Sequence, residues 1–306
     1  MTQTKIKFWG TRGSVPTPGH EYARYGGETS CVEVNTSEKE ILILDIGTGG
    51  RKLGGSLIGR NDGNNAGIEG KIFNTHYHND HIQGLGFHGP TYSSANNFTF
   101  YGPGESDEDV REIMEGNMGP PYFPVAFQDC AGIKEVKSVK DGDKVETESA
   151  YVDVIKGQHP NGVVYYKITD KNTDAKIFYG TDYERNVDPE VDKKFDEEIN
   201  GVDLLIYDTQ YTEKDFIEGW GHGKIEEAVD VAINANVKGL ILFHHDPKRT
   251  DSDMDELLHY AKGLADEKME KLGQRPQDFH VYAASDGLAM VYNPDIKRFE
   301  LMQNGL

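Results

Sequence analysis

The apolar positions along the chain predict a series of short strands, and the first quarter is β-like. Lys5–Phe8 alternates between polar and apolar residues, as a strand with one buried face does. Ile41–Leu44 is apolar throughout, which is typical of a strand buried on both faces. The same criteria predict further strands at Cys31–Val34, Lys71–Asn74, Phe98–Tyr101, Tyr151–Ile155, Val163–Ile168, Lys176–Tyr179, Leu204–Tyr207, Leu240–Phe243 and Phe279–Ala283.

Helical periodicity becomes clear in the last third. Lys224–Ala235 places its apolar residues on one face, at Ile225, Ala228, Val229 and Ala232. Ser252–Leu272 carries a longer apolar stripe, and Ser252 is a candidate cap with Asp255 three residues later. Strands dominate early and alternate with helices late, so the pattern predicts a layered α/β domain with two sheets covered by helices.

The net charge of the chain excludes some classes of binding partner. Among 306 residues, 52 are Asp or Glu and 32 are Lys or Arg, which gives a net charge of −20. Such a field repels polyanions and argues against long nucleic acid and anionic membranes as partners. The sequence has no apolar run of the ~18–20 residues that span a bilayer, and its first residues do not resemble a signal peptide. Two cysteines, Cys31 and Cys130, are expected to be free thiols, so we predict a cytoplasmic protein.

The segment Ile72–Gly84 carries the most informative chemistry. Directly after an apolar strand come four residues with ligand-type side chains, His76, His78, Asp80 and His81. In an extended segment, residues two apart point to the same side, so His76 and His78 can bind one ion together. A turn after them lets Asp80 and His81 face a second ion. Imidazole and carboxylate suit Zn²⁺, Fe or Mn²⁺ better than Ca²⁺; a metal-free, solvated loop is the alternative.

This H-x-H-x-D-H segment resembles the signature of the metallo-β-lactamase-fold hydrolases. The segments FWGTRGSVP, YGGETSCVEV, ILDIGTG and LFHHDP resemble the phosphodiesterase branch of that family, which includes ribonuclease Z and the cyclic-phosphonate and cyclic-nucleotide phosphodiesterases. The resemblance extends from Lys5 to about Pro247. It implies a four-layer αββα sandwich, a single domain over residues 1–306 with the C-terminal helix and strands (about 251–306) packed on it. It also implies a two-metal site at the edge between the sheets.

The same resemblance implies metal ligands beyond this segment. His159 in GQHPNG matches the third ligand motif, Asp182 in FYGTDYE matches the carboxylate that bridges both ions, and His244 matches the last ligand. The neighbouring His245 is expected to point away from the site. One ion, most suitably Zn²⁺ with Mn²⁺ or Fe as alternatives, would be bound by His76, His78, His159 and Asp182, and the other by Asp80, His81, Asp182 and His244.

Three further residues are candidates for supporting the chemistry. Asp45 ends the apolar run ILILD and could accept hydrogen bonds from the ligand loop, or could simply end a strand. Asp208 and His222 resemble the acid–histidine pair with which ribonuclease Z-like enzymes protonate the leaving alkoxide. Those enzymes generally carry Glu at the position of Asp208 and a hydroxyl residue at that of Gly223. Asp208 could therefore reach His222 differently, or only cap local structure.

Family resemblance and charge together predict the reaction. The resemblance implies a phosphodiesterase with two divalent metal ions, in which a hydroxide bridging the ions attacks phosphorus and Asp80, Asp208 and His222 are catalytic. The negative charge favours a small diester, a cyclic mononucleotide or a cyclic dinucleotide such as cyclic di-GMP, over tRNA. Alternatives are a lactone or cyclic-phosphonate hydrolase, a catalytically silent metal-binding scaffold, and a ribonuclease. The family resemblance is also compatible with a homodimer.

Two groups of residues are candidates for substrate contacts. Cations for the phosphate could come from Arg12, Lys248 and Arg249. The aromatic side chains of the segment GPPYFPVAF could stack on a nucleobase, or could form a hydrophobic lid or a subunit contact; they are Tyr122, Phe123 and Phe127.

Overall fold

Fifteen strands form two mixed sheets in the computed structural model, which describes residues 3–36 and 40–302. In chain order the strands are β1 Lys5–Gly10, β2 Cys31–Asn35, β3 Glu40–Leu44, β4 Glu69–Phe73, β5 Asn97–Pro103, β6 Ile133–Val139, β7 Lys144–Glu146, β8 Ala150–Lys156, β9 Val164–Asp170, β10 Lys176–Gly180, β11 Leu204–Asp208, β12 Gly239–Phe243, β13 His280–Ala283, β14 Ala289–Asn293 and β15 Arg298–Leu301. The first sheet has the order β15-β14-β1-β2-β3-β4-β5-β6 and the second β13-β12-β11-β10-β9-β8-β7.

Helices cover the outer face of each sheet. Their bounds are α1 Gly49–Arg60, α2 Asn79–Ile82, α3 Gly89–Tyr92, α4 Asp107–Asn117, α5 Pro189–Glu198, α6 Ile225–Asn234 and α7 Asp251–Lys271. Apolar residues of α1 and α4 pack on the first sheet, and those of α5, α6 and α7 pack on the second. No helix among residues 3–36 and 40–302 is long and apolar enough to cross a membrane.

A shared core holds the two sheets face to face. Phe8 and Phe73 of the first sheet pack in one buried cluster with Tyr166, Ile177 and Ile206 of the second. The layers therefore run helix, sheet, sheet, helix, which confirms the predicted four-layer αββα sandwich. Residues 280–301 are part of the same layers, because β13 extends the second sheet and β14 and β15 extend the first. The two cysteines, Cys31 and Cys130, are buried and free.

Parallel pairing places the functional strand ends at one edge. β3 pairs in parallel with β4 in the first sheet, and β10, β11 and β12 are parallel to one another in the second. The carboxyl ends of parallel strands meet at one edge of a sheet, which is where α/β proteins bind ligands. The residues that follow these strands are consequently brought together.

The cap of the long helix α7 lies two residues earlier than the sequence indicates. Thr250, not Ser252, is the cap: its side chain accepts a hydrogen bond from the Asp253 amide, and the Asp253 carboxylate accepts from the Thr250 amide. Both residues begin a Ser/Thr-x-x-Asp pattern, so the prediction chose the wrong one of two overlapping signals.

Thr250→Ala is expected to lower the free energy of unfolding by ~1 kcal/mol, because it leaves the Asp253 amide in the first helical turn without its side-chain acceptor. Ser252→Ala is the matched control and should leave stability unchanged, since Ser252 is exposed inside the helix. Urea unfolding of both variants measures the difference. Equal losses would contradict the assignment of the cap.

Candidate metal centre

Buried polar side chains follow the strand ends at the edge between the sheets. Asp45 follows β3, Asp182 lies two residues after β10, and His244 follows β12. All three have left-handed backbone conformations, with φ of 56°, 57° and 59°. This conformation is uncommon outside glycine and clusters at functional sites. It turns the chain sharply where each strand ends.

Four donor atoms converge on one point. His81 Nε2 lies 3.3 Å from Asp80 Oδ2, 3.3 Å from His244 Nε2 and 3.2 Å from Asp182 Oδ2. His244 Nε2 lies 3.2 Å from Asp80 Oδ2 and 3.4 Å from Asp182 Oδ2. Four atoms placed tetrahedrally at ~2.0–2.1 Å from a Zn²⁺ ion lie about 3.3–3.4 Å from one another. These four residues could therefore hold one ion.

A second group of histidines lies on the other side of Asp182. His159 Nε2 lies 3.1 Å from His78 Nδ1 and 3.6 Å from Asp182 Oδ1, and His76 Nε2 lies 3.8 Å from the same oxygen. His76 Nε2 is buried and has no hydrogen-bond partner among the described residues. Such an orphaned nitrogen needs a partner of another kind. A metal ion bound by His76, His78 and His159 would supply it.

Asp182 presents one carboxylate oxygen to each group. Burial by itself would raise its pKa, but His244, His81 and His76 around it hold that pKa well below its usual range. Burial lowers the pKa of His76 well below its ordinary value and lowers that of His159 as well. His76 and His159 thus offer neutral imidazoles beside an ionised carboxylate, which are the protonation states that bind metal.

In the other group the neighbouring carboxylates outweigh burial: Asp182, Asp80 and Asp45 raise the pKa of His81 well above its ordinary value, and Asp182 and Asp80 raise the pKa of His244 to about 9. Binding of a metal ion there would release protons from these two histidines.

The other ring nitrogen of three histidines is hydrogen-bonded, and this fixes which nitrogen faces the centre. His81 Nδ1 donates to Asp45 Oδ2 at 2.7 Å, and His159 Nδ1 donates to the Gly221 carbonyl at 2.7 Å. His244 Nδ1 donates to Gln210 Oε1 at 3.0 Å. Such contacts set the tautomer and the orientation of a ligating imidazole.

Asp45 is the centre of a buried hydrogen-bond network, as expected if it accepts hydrogen bonds from the ligand loop and does more than end a strand. Its Oδ1 accepts from the Thr75 amide at 2.7 Å, and its Oδ2 accepts from the Tyr179 hydroxyl at 2.9 Å as well as from His81. Asp45 therefore ties the ligand loop to both sheets. The sequence indicated neither Thr75 nor Tyr179 as a contributor.

Asp45→Asn is expected to weaken metal binding by ~10–100-fold, the usual effect of losing a residue that orients a ligand. The new amide group would turn an N–H donor toward His81 or Tyr179, which are donors themselves. Chelator competition measures the affinity. Tyr179→Phe is the graded control, since it removes one hydroxyl donor and spares the contact with His81. Affinity equal to that of the unmodified chain would contradict this role for Asp45.

Asp208 and His222 form a hydrogen-bonded pair beside the centre. His222 Nδ1 donates to Asp208 Oδ2 at 2.9 Å, and Asp208 Oδ1 accepts from the Gln210 amide at 3.0 Å. Asp208 thus both caps local structure and contacts His222. A Cβ atom on Gly223 would lie 2.3 Å from the Asp208 carbonyl oxygen, so the two backbones approach too closely for a hydroxyl residue.

The structure corrects the prediction that Arg12 contacts substrate. Arg12 is 0% exposed, and its guanidinium donates to the carbonyls of Gly26, Asp246 and Arg249 at 2.7–3.2 Å. It therefore holds loops together from inside. Arg249 forms an ion pair with Asp215, whereas Lys248 is exposed. His245 points away from the centre, as predicted, and donates from Nε2 to the Ala284 carbonyl at 2.8 Å.

The aromatic segment is divided between core and surface. Phe127 is buried in the core, so the prediction that it could stack on a base is wrong. Tyr122 is 81% exposed, and Phe123 packs edge-to-face on Phe87 with ring centroids 5.6 Å apart. Asn117 Nδ2 donates to Asn79 Oδ1 at 3.1 Å, which connects the end of α4 to the ligand helix α2. The segment therefore begins beside the metal-binding residues.

Two mixed sheets flanked by helices, with a buried His/Asp cluster able to bind metal at their common edge, are the features of the metallo-β-lactamase fold. Residues 66–245, more than half of the chain, match the model of the Beta-lactamase superfamily domain, and the chain belongs to this family. Ribonuclease Z from Picrophilus torridus is 23% identical over 306 residues, with 85% of this chain and 91% of the relative covered.

Solved structures share the whole fold. The metallo-β-lactamase fold protein YhfI from Bacillus subtilis aligns with a TM-score of 0.68 at 17% identity, covering 95% of this chain and 100% of that one. Unliganded yeast PDE1 also gives a TM-score of 0.68, at 16% identity and with 96% and 100% coverage. At these identities the likeness establishes the fold alone, and the match to the domain model confirms the family predicted from the sequence motifs.

Proposed function

We propose that the chain is a metal-dependent phosphodiesterase with two divalent ions that hydrolyses a small phosphodiester. The observation that carries the proposal is the Asp182 carboxylate, which presents one oxygen to each of two groups of donor atoms. The relatives support it, because one of them is a ribonuclease Z. Histidine and carboxylate ligands suit Zn²⁺ best, with Mn²⁺ or Fe as alternatives.

Two cations in these groups would activate water and neutralise charge on the phosphoryl oxygens. The chain would hold them through His76, His78 and His159, through Asp80, His81 and His244, and through Asp182 between the two groups. Asp80 Oδ2 also accepts a hydrogen bond from the Ser14 amide at 2.7 Å, which fixes its carboxylate.

His222 is the proposed proton donor to the leaving oxygen. Its Nδ1–H is engaged by Asp208, so Nε2 is the nitrogen that carries the transferable proton. The Asp208 carboxylate accepts from Nδ1 and so fixes the orientation of the ring, as the acid of an acid–histidine pair does. His222 Nδ1 lies 3.9 Å from Asp182 Oδ1, which places the ring beside the proposed metal site.

Charge favours a small substrate. A net charge of −20 makes a poor surface for docking a tRNA, whereas a cyclic mononucleotide or dinucleotide brings only one or two phosphates. Tyr122 and Phe123 are proposed to contact its base, and the exposed Lys248 is a candidate for its phosphate. The free, buried cysteines fit a reducing compartment, and we propose the cytoplasm.

Metal analysis combined with a substrate panel tests the proposal. Protein purified without added chelator should contain two ions per chain and hydrolyse cyclic mono- or dinucleotides. Hydrolysis should stop after chelation and return when Zn²⁺ or Mn²⁺ is added back. Lactones and cyclic phosphonates in the same panel test the alternative esters. Activity that survives full chelation would refute the mechanism, and stoichiometric metal without turnover of any ester would identify a silent scaffold. Light scattering in the same preparation tests for a homodimer.

A further inference from the structure

Glu184 has a buried carboxylate with an unusual pair of partners. It lies two residues after Asp182 and is 3% exposed. One of its oxygens accepts from the Gly219 amide at 2.7 Å, and the other accepts from the Gly221 amide at 2.6 Å. Both glycines have left-handed backbones, with φ of 81° and 83°. A single carboxylate thus holds a turn that glycine is best suited to form.

That turn carries two parts of the proposed centre. The Gly221 carbonyl accepts the hydrogen bond from His159 Nδ1 at 2.7 Å, and His222 is the next residue. A Cβ atom on Gly221 would lie 2.2 Å from His159 Nδ1, so the turn and the imidazole are in close contact. The Glu184 amide also donates to the carbonyl of Gln158, the residue before His159, at 3.2 Å. Glu184 therefore bonds to both segments.

The hydrogen bonds of Glu184 explain how a carboxylate can be buried at this position. Burying a charge is costly unless hydrogen bonds compensate it, and here each oxygen receives a short, charge-assisted bond from a backbone amide. Gly219 and Trp220 are exposed to solvent, whereas Gly221 and His222 are buried, so the first half of the turn has little packing of its own to fix it. The Glu184 carboxylate supplies the constraint from inside the protein.

We propose that Glu184 is a positioning residue that fixes the turn Gly219–His222. Through the Gly221 carbonyl it keeps His159 Nε2 directed at Asp182, and through the chain it keeps His222 against Asp208. The part that concerns His222 rests on the proposed phosphodiesterase function. The part that concerns His159 requires only that the centre binds metal.

Glu184→Gln tests the first part without any substrate. Glutamine keeps one acceptor oxygen, but its N–H group would face an amide donor. We expect ~10–100-fold weaker binding of Zn²⁺ in chelator competition, as for other residues that orient ligands. Glu218→Gln is the matched control, because Glu218 is exposed in the same loop and the substitution removes the same charge. Equal affinities of the two variants would overturn the inference.

Leaving-group dependence tests the second part. With metal at saturation, Glu184→Gln should slow hydrolysis of a cyclic nucleotide, whose leaving alkoxide needs a proton, more than hydrolysis of bis-p-nitrophenyl phosphate, whose leaving group does not. A general loss of structure would slow both equally. If His222→Ala shows this dependence and Glu184→Gln does not, Glu184 does not position His222 and the proposed function stands. If neither variant shows it, the assignment of His222 as proton donor fails, and Zn²⁺ affinity alone decides the role of Glu184.

Amide hydrogen exchange on the unmodified chain keeps the inference testable if Glu184→Gln does not fold. The amide protons of Gly219 and Gly221 should be shifted downfield in NMR spectra and should exchange slowly, that of Gly219 although the residue is exposed to solvent. Exchange at the rate of an unprotected loop would overturn the proposal.

Discussion

Replacing Asp182 with asparagine is expected to remove bound metal and diester hydrolysis together. The carboxylate offers Oδ1 to the histidines of one group and Oδ2 to those of the other, and an amide would direct an N–H donor at one of them. Metal ions contribute several kcal/mol of charge stabilisation, and a loss of ~4 kcal/mol corresponds to roughly a 10³-fold lower kcat/KM. Elemental analysis and initial rates measure the two effects.

Asp174→Asn is the matched control for this substitution. Its carboxylate is exposed, and its backbone is left-handed like that of Asp182, with φ of 58° against 57°. Asparagine tolerates this conformation, so any general cost of the change is the same at both positions. The control should keep its metal and its rate. An Asp182→Asn protein with full metal content and full activity would refute the proposed bridging role.

Replacing His222 with alanine is expected to separate turnover from metal binding. The variant should retain metal, because His76, His78, His159, Asp80, His81, His244 and Asp182 remain in place. Its kcat for a cyclic nucleotide should fall by ~10²–10⁴-fold, the usual contribution of a general acid. Hydrolysis of bis-p-nitrophenyl phosphate should fall much less, since p-nitrophenolate leaves without a proton.

The control for His222→Ala is His20→Ala, which removes an imidazole whose side chain is fully exposed. It should change neither metal content nor rate. An unchanged rate in the His222 variant would refute its assignment as proton donor. Loss of metal together with activity would instead identify His222 as a metal ligand. Its Nδ1 atom lies 3.9 Å from Asp182 Oδ1, close enough to the centre for that alternative.

Strands such as β3 and β12 were predictable from the sequence because they are buried on both faces. Ile41–Leu44 and Leu240–Phe243 each lie within one residue of the observed β3 and β12. Missed elements have weaker patterns: α1 is rich in glycine, and α4 is largely acidic on its exposed side. Strand β6 alternates poorly, since most of its residues are partly exposed.

For the candidate site, the sequence predicts the metal-binding residues but not the residues that orient them through hydrogen bonds. His76, Asp80 and His81 are close in the chain, and Asp182 and His244 follow apolar strands, so motif and topology together indicate them. Gln210, Tyr179 and Glu184 act through contacts with segments far away in the sequence; Glu184 and Gly221, for example, are 37 positions apart. The contact of Tyr179 with Asp45 arises only when the two sheets pack, and those of Gln210 and Glu184 arise only when loops at the edge of the second sheet meet. The prediction that Arg12 contacts substrate was wrong for a similar reason, because nothing in the local sequence distinguishes a buried arginine from an exposed one.

The converging donor atoms of the centre also couple folding to the supply of ions. Seven side chains, six of them buried and that of His78 half-buried, direct lone pairs or charge at a small volume. An unfolded chain cannot offer this arrangement to a cation. An ion that binds only the folded state stabilises it by about 2.7 kcal/mol at a free concentration of one hundred times its Kd, and by about 4.1 kcal/mol at one thousand times. The resistance of this protein to heat and proteolysis should therefore follow free Zn²⁺ in solution, so that metal starvation shortens its lifetime as well as stopping its chemistry.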